Sequence, residues 1–134
     1  MYWSHVGLSC RDPQVTADFY TRWFGFVPSR AVPLGGQEIL FLRKDDVYLE
    51  LFPCPVTASQ PAGGAGAEVP GIVRHIAFQT GDVDAFLADM GAAAEVTLGP
   101  LDFSEFIAGW RTVWLRDPDG VVVEVSQGYR DEQK

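Results

Sequence analysis

The sequence predicts an α+β protein in which a strand–helix–three-strand unit occurs twice. The same order of β-rich and helical segments is found before and after a stretch rich in Pro, Gly and Ala, residues 53–71. In addition, "SHVGLSCRD" resembles "RHIAFQTGD", and "VYLELF" resembles "VVVEVS". We therefore predict one domain, residues 1–134, made of a βαβββ module (1–52), a linker (53–71), a second βαβββ module (72–128) and a polar tail (129–134).

The first module is expected to begin with the strand "YWSHVGLSC", which ends at "RDP". Asp12 suits a helix N-cap, and Pro13 suits the first helical position, where its missing N–H costs nothing. A helix is therefore predicted over "QVTADFYTRWF", ending at Gly25. Three short β-rich runs follow, "FVPSRAVP", "EILFLR" and "VYLELF".

The second module repeats this order after the linker. A strand is predicted over "VRHIAFQT", residues 73–80, and Asp82 is expected to cap the helix "VDAFLADM", which Gly91 ends. The remaining strands are predicted over "AEVTLGPL", "WRTVWLR" and "VVVEVSQ". The turn "DPDG" is expected to join the last two strands as a hairpin.

The charge balance excludes several classes of partner. Ten Lys and Arg against eighteen Asp and Glu give a formal net charge of −8, and the ten basic residues are not clustered. Nucleic acid and anionic membrane surfaces both require concentrated positive charge, so neither is an expected partner. No apolar run approaches the roughly 20 residues that span a bilayer, and no signal peptide is recognisable, so we expect a cytoplasmic protein. The two cysteines make no disulfide framework.

One His and one Glu occupy corresponding strands of each module: His5 and Glu50, then His75 and Glu124. Because strand side chains alternate between faces, these residues are expected on the face that points away from the helix. Two neighbouring buried carboxylates would be costly unless a cation compensated them. Two imidazoles and two carboxylates suit one divalent transition metal, Ni, Zn, Co, Mn or Fe. The alternative is two structural His–Glu ion pairs; we favour the metal because such pairs need not repeat in register.

These segments together resemble the vicinal oxygen chelate superfamily. The resemblance rests on a His in the first strand followed by "RDPQVTADFYTRWFGF", a Glu in "YLELF", then "HIAF" and "RDPDGVVVEV", and it spans residues 3–127. It implies paired βαβββ modules whose sheets form a cupped, incomplete β-barrel around a metal site. It also implies a homodimer, which the unpaired sheet edges favour.

Within this superfamily the pattern is closest to glyoxalase I of the bacterial type. That likeness implies metal ligation by His5, Glu50, His75 and Glu124, with open positions for water or a substrate with two adjacent oxygens. Ring-cleaving dioxygenases of the superfamily have no ligand at the place of Glu50. Glyoxalase I typically has an Arg four residues after the first His, where this chain has Ser9, so the use of glutathione stays open.

The expected function is that of a metal-dependent lyase or isomerase acting on a small carbonyl or hydroxy-carbonyl compound. The metal would polarise the carbonyl oxygen and stabilise an enolate, while Glu124 or Glu50 removes the adjacent proton. Tyr48 and Phe52 share the strand parity of Glu50, so they are candidates for substrate contact or for packing at the rim.

A four-residue loop at "DPDG" would pair Val113 with Glu124 and Arg111 with Ser126. Arg111 would then face the cavity and hold an anionic group, although a slip of one residue reverses its face. Three aromatic residues in "LDFSEFIAGW" are expected in the core rather than in a hydrophobic lid: Phe103, Phe106 and Trp110.

Two other functions stay open at the level of sequence. One is an Fe(II)-dependent ring-cleaving dioxygenase, which would consume oxygen with a catechol. The other is a protein that sequesters a drug or metabolite and needs no metal. The sequence also leaves open the substrate, the native metal, and whether a site is built within one chain or across a dimer.

Overall fold

The computed structural model describes residues 1–56 and 63–132, so the middle of the predicted linker lies outside the described residues. The chain divides into two compact units, Met1–Ser59 and Gln60–Lys134, and the division falls within that linker. Each unit contains one βαβββ module, as predicted. In the described parts of the chain, no helix has the length and apolar character needed to cross a membrane.

The first unit is an open four-stranded sheet with one helix. Strands β1 and β4 are parallel, the other neighbours are antiparallel, and the order across the sheet is β1-β4-β3-β2. The elements are β1 (His5–Cys10), α1 (Pro13–Phe24), β2 (Val27–Leu34), β3 (Gln37–Lys44) and β4 (Val47–Pro53).

Local sequence signals define both ends of α1. The Asp12 carboxylate accepts a hydrogen bond from the Gln14 backbone N–H at 3.0 Å, and Pro13 is the first helical residue. Gly25 ends the helix with φ of 72°, a left-handed conformation that favours glycine, and its N–H bonds the Tyr20 carbonyl. These signals confirm the predicted bounds.

Helix α1 packs on one face of the first sheet, chiefly against β3 and β4. The strand residues on that face are buried: Leu8, Cys10, Leu42, Leu49 and Leu51. Because side chains alternate along a strand, His5 and Glu50 lie on the opposite face. The helix therefore leaves the predicted ligand face of this sheet free of core packing.

The second unit repeats the arrangement, with the strand order β5-β8-β7-β6. Its elements are β5 (Ile76–Gln79), α2 (Val83–Met90), a 3-10 turn (Gly91–Ala93), β6 (Val96–Asp102), β7 (Arg111–Arg116) and β8 (Val122–Gln127). Strand β5 is shorter than the predicted 73–80, and His75 immediately precedes it.

The predicted start of α2 is also confirmed. The Asp82 carboxylate accepts a hydrogen bond from the Ala85 N–H at 3.0 Å, and the Val83 N–H is bound by the Gln127 side chain at 2.7 Å. The helix contacts β7 and β8. The paired residues on its side of these strands are fully buried: Val113, Leu115, Val123 and Val125.

The predicted register of the last hairpin is wrong by one residue. Trp114, not Val113, lies opposite Glu124 in the β7–β8 pair. The loop holds five residues, 117–121, because the Asp117 carboxylate accepts the backbone N–H groups of Asp119 and Val121, both at 2.9 Å. The turn therefore closes one residue later than a four-residue "DPDG" loop would.

The aromatic residues before β7 are only partly core. Phe103 and Trp110 stack with ring centroids 5.0 Å apart, and Phe103 also contacts Trp114. Phe106 is 71% exposed, so its predicted burial is wrong. Its backbone N–H bonds the Phe103 carbonyl in a tight turn, and this turn directs the ring outward.

Candidate functional site

In the first unit, the sheet places His5 beside Glu50. Parallel pairing of β1 with β4 sets His5 opposite Tyr48 and Gly7 opposite Glu50, so all four residues share one face. The His5 Nε2 atom lies 3.0 Å from the Glu50 Oε2 atom. The imidazole is 44% exposed and the carboxylate 17% exposed, so this pair is open to solvent on one side.

A concave pocket of about 320 Å³ adjoins this pair. It is lined by Ser4, His5, Ser29, Arg30, Phe41 and Tyr48. Tyr48 is thus one of the lining residues, and its contact with a substrate stays a prediction. Phe52 shares its face further along β4, opposite Ser9, and is 39% exposed, but it does not line the pocket.

The second unit holds an equivalent pair. The His75 Nε2 atom lies 2.8 Å from the Glu124 Oε2 atom, and both side chains are largely buried. Trp114 donates its indole N–H to the same Glu124 oxygen at 3.1 Å. Sequence analysis missed this role of Trp114, since it depends on the true register of β7 against β8.

A loop from Gly63 to Arg74 fixes the His75 ring. The His75 Nδ1 atom lies 2.8 Å from the Ala65 carbonyl oxygen. The neighbouring Gly64 carbonyl accepts the Thr97 hydroxyl at 2.6 Å, which anchors the loop to β6. Gly66 has φ of 111°, and a Cβ there would lie 1.8 Å from the Arg74 carbonyl oxygen. Only glycine fits this close approach.

The Ala65 contact determines the tautomer of His75. A carbonyl oxygen only accepts, so the Nδ1 atom must carry a proton. The Nε2 atom faces the Glu124 carboxylate, an arrangement common to an ion pair and to a cation shared by the two side chains. A backbone carbonyl bound to the second ring nitrogen is the usual support of a metal-ligating His.

Within each His–Glu pair, the spacing of the donor atoms suits a divalent transition metal as well as an ion pair. Two ligand atoms bound at about 2.1 Å and at right angles lie about 3 Å apart, and the His–Glu distances are 3.0 Å and 2.8 Å. An ion pair has the same spacing, so both predicted alternatives agree with it. Among residues 1–56 and 63–132, no group of three or more His, Cys, Asp or Glu is placed to hold a metal ion. The joining of both His–Glu pairs in one four-ligand metal centre therefore stays a prediction.

Arg111 does not lie where the predicted register put it. It pairs with Gln127 and so occupies the opposite face from Trp114 and Glu124. Its guanidinium donates to the Asp84 carboxylate on α2. That hydrogen bond raises the pKa of Arg111 above its usual value. Arg111 occupies this face because the hairpin loop is one residue longer than predicted. This placement removes the structural basis for an anion clamp at Arg111.

Family comparison agrees with these features. The model of the Glyoxalase/Bleomycin resistance protein/Dioxygenase superfamily matches residues 3–125. The chain belongs to this superfamily. The comparison with curated proteins gives no match.

Solved structures share the superfamily fold across nearly the whole chain. A glyoxalase/dioxygenase from Nostoc punctiforme is 22% identical, with a TM-score of 0.69 and coverage of 94% of this chain and 90% of that one. A lactoylglutathione lyase from Agrobacterium tumefaciens is 25% identical, with a TM-score of 0.60 and coverage of 95% and 93%. TnmS3, an antibiotic binding protein from Streptomyces sp. CB03234, is 22% identical, with a TM-score of 0.64 and coverage of 96% and 97%.

The superfamily thus includes enzymes and binding proteins on one fold, and the site residues must distinguish them.

On the Glu124 face of the second unit, the buried Thr112 hydroxyl and Trp110 indole N–H find no hydrogen-bond partner within the described ranges. Thr112 lies directly opposite Ser126, on the strand that carries Glu124. Buried donors without acceptors are uncommon in folded proteins.

Proposed function

We propose that this chain is a metal-dependent lyase or isomerase acting on a small carbonyl or hydroxy-carbonyl compound. The observation that carries the proposal is the His–Glu pair repeated on corresponding strands, with the ring of His75 anchored through Nδ1. The same contact orients a ligating imidazole and satisfies the second N–H of an imidazolium in an ion pair, so metal analysis is the test that separates the two.

His5, Glu50, His75 and Glu124 would hold one divalent transition metal, of the series Ni, Zn, Co, Mn and Fe. When bound, such an ion polarises a carbonyl oxygen and so acidifies the adjacent C–H bond.

The site would form within one chain or across a homodimer. The open sheet edges favour a homodimer, since unpaired edges are usually covered. We also propose a cytoplasmic location.

Glu124 is the proposed proton acceptor. The indole of Trp114 and the imidazole of His75 both contact its Oε2 atom, which leaves Oε1 as the oxygen that can meet a substrate C–H bond. Return of the proton to the neighbouring carbon gives isomerisation, and return to the opposite face gives epimerisation. Glu50 is the alternative base; its Oε2 atom lies beside His5.

Elemental analysis of protein purified without added metal or chelator tests the metal. We expect about one transition metal per chain in the wild type and its loss in His75→Ala. His75→Ala is compared with Gln79→Ala, which alters the same sheet face away from the pair. Wild-type protein that binds no metal, even after reconstitution with Ni, Zn, Mn or Fe, would refute the proposed site.

Proton exchange tests the chemistry. Hydroxyacetone in D₂O, followed by NMR, reports removal of the proton next to a carbonyl without knowledge of the natural substrate. We expect wild-type protein to accelerate exchange and Glu124→Gln to lose the acceleration. The control Glu105→Gln changes an exposed carboxylate outside the site and should keep it. Full exchange by Glu124→Gln would exclude Glu124 as the base.

A second candidate is a small-molecule binding protein. The observation in its favour is the aromatic cluster of Phe103, Trp110 and Trp114, in which the Trp110 indole N–H has no partner among the described residues. TnmS3 is an antibiotic binding protein of the same fold. Tight ligand binding that is unchanged by a chelator would favour this function. Oxygen consumption with a catechol and bound iron would instead favour a ring-cleaving dioxygenase.

A further inference from the structure

The strand β2 carries a one-residue irregularity beside the pocket of the first unit. Pro28 pairs with Leu42, but Arg30 pairs with Phe41, so the register shifts by one residue at Ser29. Without the shift, Ser29 would lie opposite Phe41 and Arg30 would lie opposite Leu40. Bulges of this kind redirect side chains and are frequent next to functional sites.

The shift places Arg30 on the ligand face of the sheet. Directly paired residues share a face, and the pairs Arg30–Phe41, Phe41–Glu50 and Glu50–Gly7 form one row across all four strands. Arg30 is two strands away from Glu50, a backbone separation of about 10 Å. Arg30 lines the pocket together with His5 and Tyr48.

The charge of Arg30 is available to a ligand. In the described parts of the chain, no carboxylate forms an ion pair with Arg30, whereas Arg74, Arg111 and Arg116 each contact one. The protein has a net charge of −8, so an anionic ligand would be repelled unless a local cation received it. A guanidinium binds a carboxylate through two parallel hydrogen bonds.

We propose that Arg30 is a specificity-determining residue that binds a carboxylate of the substrate. This inference rests on the proposed function, because it places the reacting oxygens at the His5–Glu50 pair. The separation of Arg30 from Glu50 requires a carboxylate some carbons away from those oxygens. The substrate class is thus a carbonyl compound with a distal carboxylate, and the pocket walls of Phe41 and Tyr48 hold the chain between them.

Two probes isolate the contribution of the distal carboxylate. 2-Oxoglutarate and 2-oxopentanoate have the same carbon chain and the same oxo-acid group, and they differ only at the far end. Their dissociation constants are measured by calorimetric titration on protein reconstituted with Mn²⁺ and on chelator-treated protein. The variants are Arg30→Gln and the control Arg22→Gln, which makes the same change in net charge on α1, where Arg22 covers Trp23.

We expect the wild type to bind 2-oxoglutarate about tenfold more tightly than 2-oxopentanoate, as one charge-assisted hydrogen-bonded contact at an exposed site predicts. Arg30→Gln should remove this preference, and Arg22→Gln should keep it. Equal binding of the two probes by the wild type, no binding of 2-oxoglutarate, or a preference that survives Arg30→Gln would each overturn the proposal.

The two protein forms separate this inference from the proposed function. If the protein binds no Mn²⁺ but the preference persists and depends on Arg30, the metal site fails and the role of Arg30 stands. If Mn²⁺ binds and Arg30→Gln leaves the preference unchanged, the metal site stands and the role of Arg30 fails.

Discussion

The hydrogen bond from Trp114 to Glu124 gives the sharpest test of the second half of the site. Trp114→Phe removes the indole N–H while it keeps an aromatic ring in the same place. The donor residue is 6% exposed and the Glu124 side chain 14% exposed, so water screens the contact little. A hydrogen bond to a charged group contributes about 1.5–3 kcal/mol. We expect a loss of about 2 kcal/mol in the free energy of unfolding, or roughly 7 °C in the thermal midpoint of a chain this size.

Trp110→Phe is the matched control. It deletes the same atoms from a neighbouring indole whose N–H has no partner among the described residues. Urea unfolding with a chelator present measures both variants without a metal contribution, and the difference between them isolates the hydrogen bond. In metal titration, we expect Trp114→Phe to weaken binding about tenfold and Trp110→Phe to leave it near the wild-type value. Equal unfolding free energies for the two variants would refute the assigned role of Trp114.

Three further predictions concern the surroundings of the site. Gly66→Ala should lower the free energy of unfolding in urea by at least about 2 kcal/mol, since its Cβ would meet a backbone carbonyl. Gly64→Ala has open space and should lower it by about 1 kcal/mol because of its left-handed conformation. Equal losses for the two variants would contradict the close approach at Gly66. Asp82→Ala should lose about 1 kcal/mol of stability with its helix cap, and an unchanged urea midpoint would contradict this. Hydrogen bonds from the Ser104 side chain and, to a smaller extent, from its backbone N–H lower the pKa of Asp102. Asp102 therefore stabilises the fold above its unfolded pKa of about 3.9. This contribution is lost as pH falls through the lower pKa of the folded state. Ser104→Ala keeps the backbone bond and removes the side-chain bond, so it should raise that pKa toward its usual value in a carbon-13 NMR titration. An unchanged pKa would exclude the side-chain hydrogen bond of Ser104 as a cause.

The helices could be predicted because their ends depend on neighbouring residues. Asp12, Pro13 and Gly25 specify where α1 begins and ends through contacts within one turn, and Asp82 does the same for α2. The βαβββ order of elements along the chain followed from the repeat, since the same strand and helix signals occur in both modules. Strand lengths were less accurate: β5 begins at Ile76 rather than at residue 73, because none of the described strands pairs with residues 73–75.

The His–Glu pairs could be predicted because alternation along a strand assigns each residue a face without knowledge of its neighbours. His5 and Glu50 then meet through strand pairing. His75 precedes β5 and lies beside Glu124 with its ring held by the Ala65 carbonyl. The convergence of all four on one metal stays a prediction. Arg111 was misplaced because its face depended on loop length, and the Asp117 carboxylate lengthens that loop through two backbone hydrogen bonds.

By itself, the sequence determined the α+β class, the repeated module, both helices and the residue pairs that share a strand face, because these follow from periodicity and local capping. Tertiary structure alone decided which other residues surround those pairs. The indole of Trp114 reaches Glu124 only through the observed register of the last hairpin. The Ala65 carbonyl reaches His75 across a loop that closes on itself, and Arg30 reaches the pocket through a shift at Ser29. In each case, a register or a loop closure brings together residues that lie apart in the sequence, and neither can be read from one strand at a time.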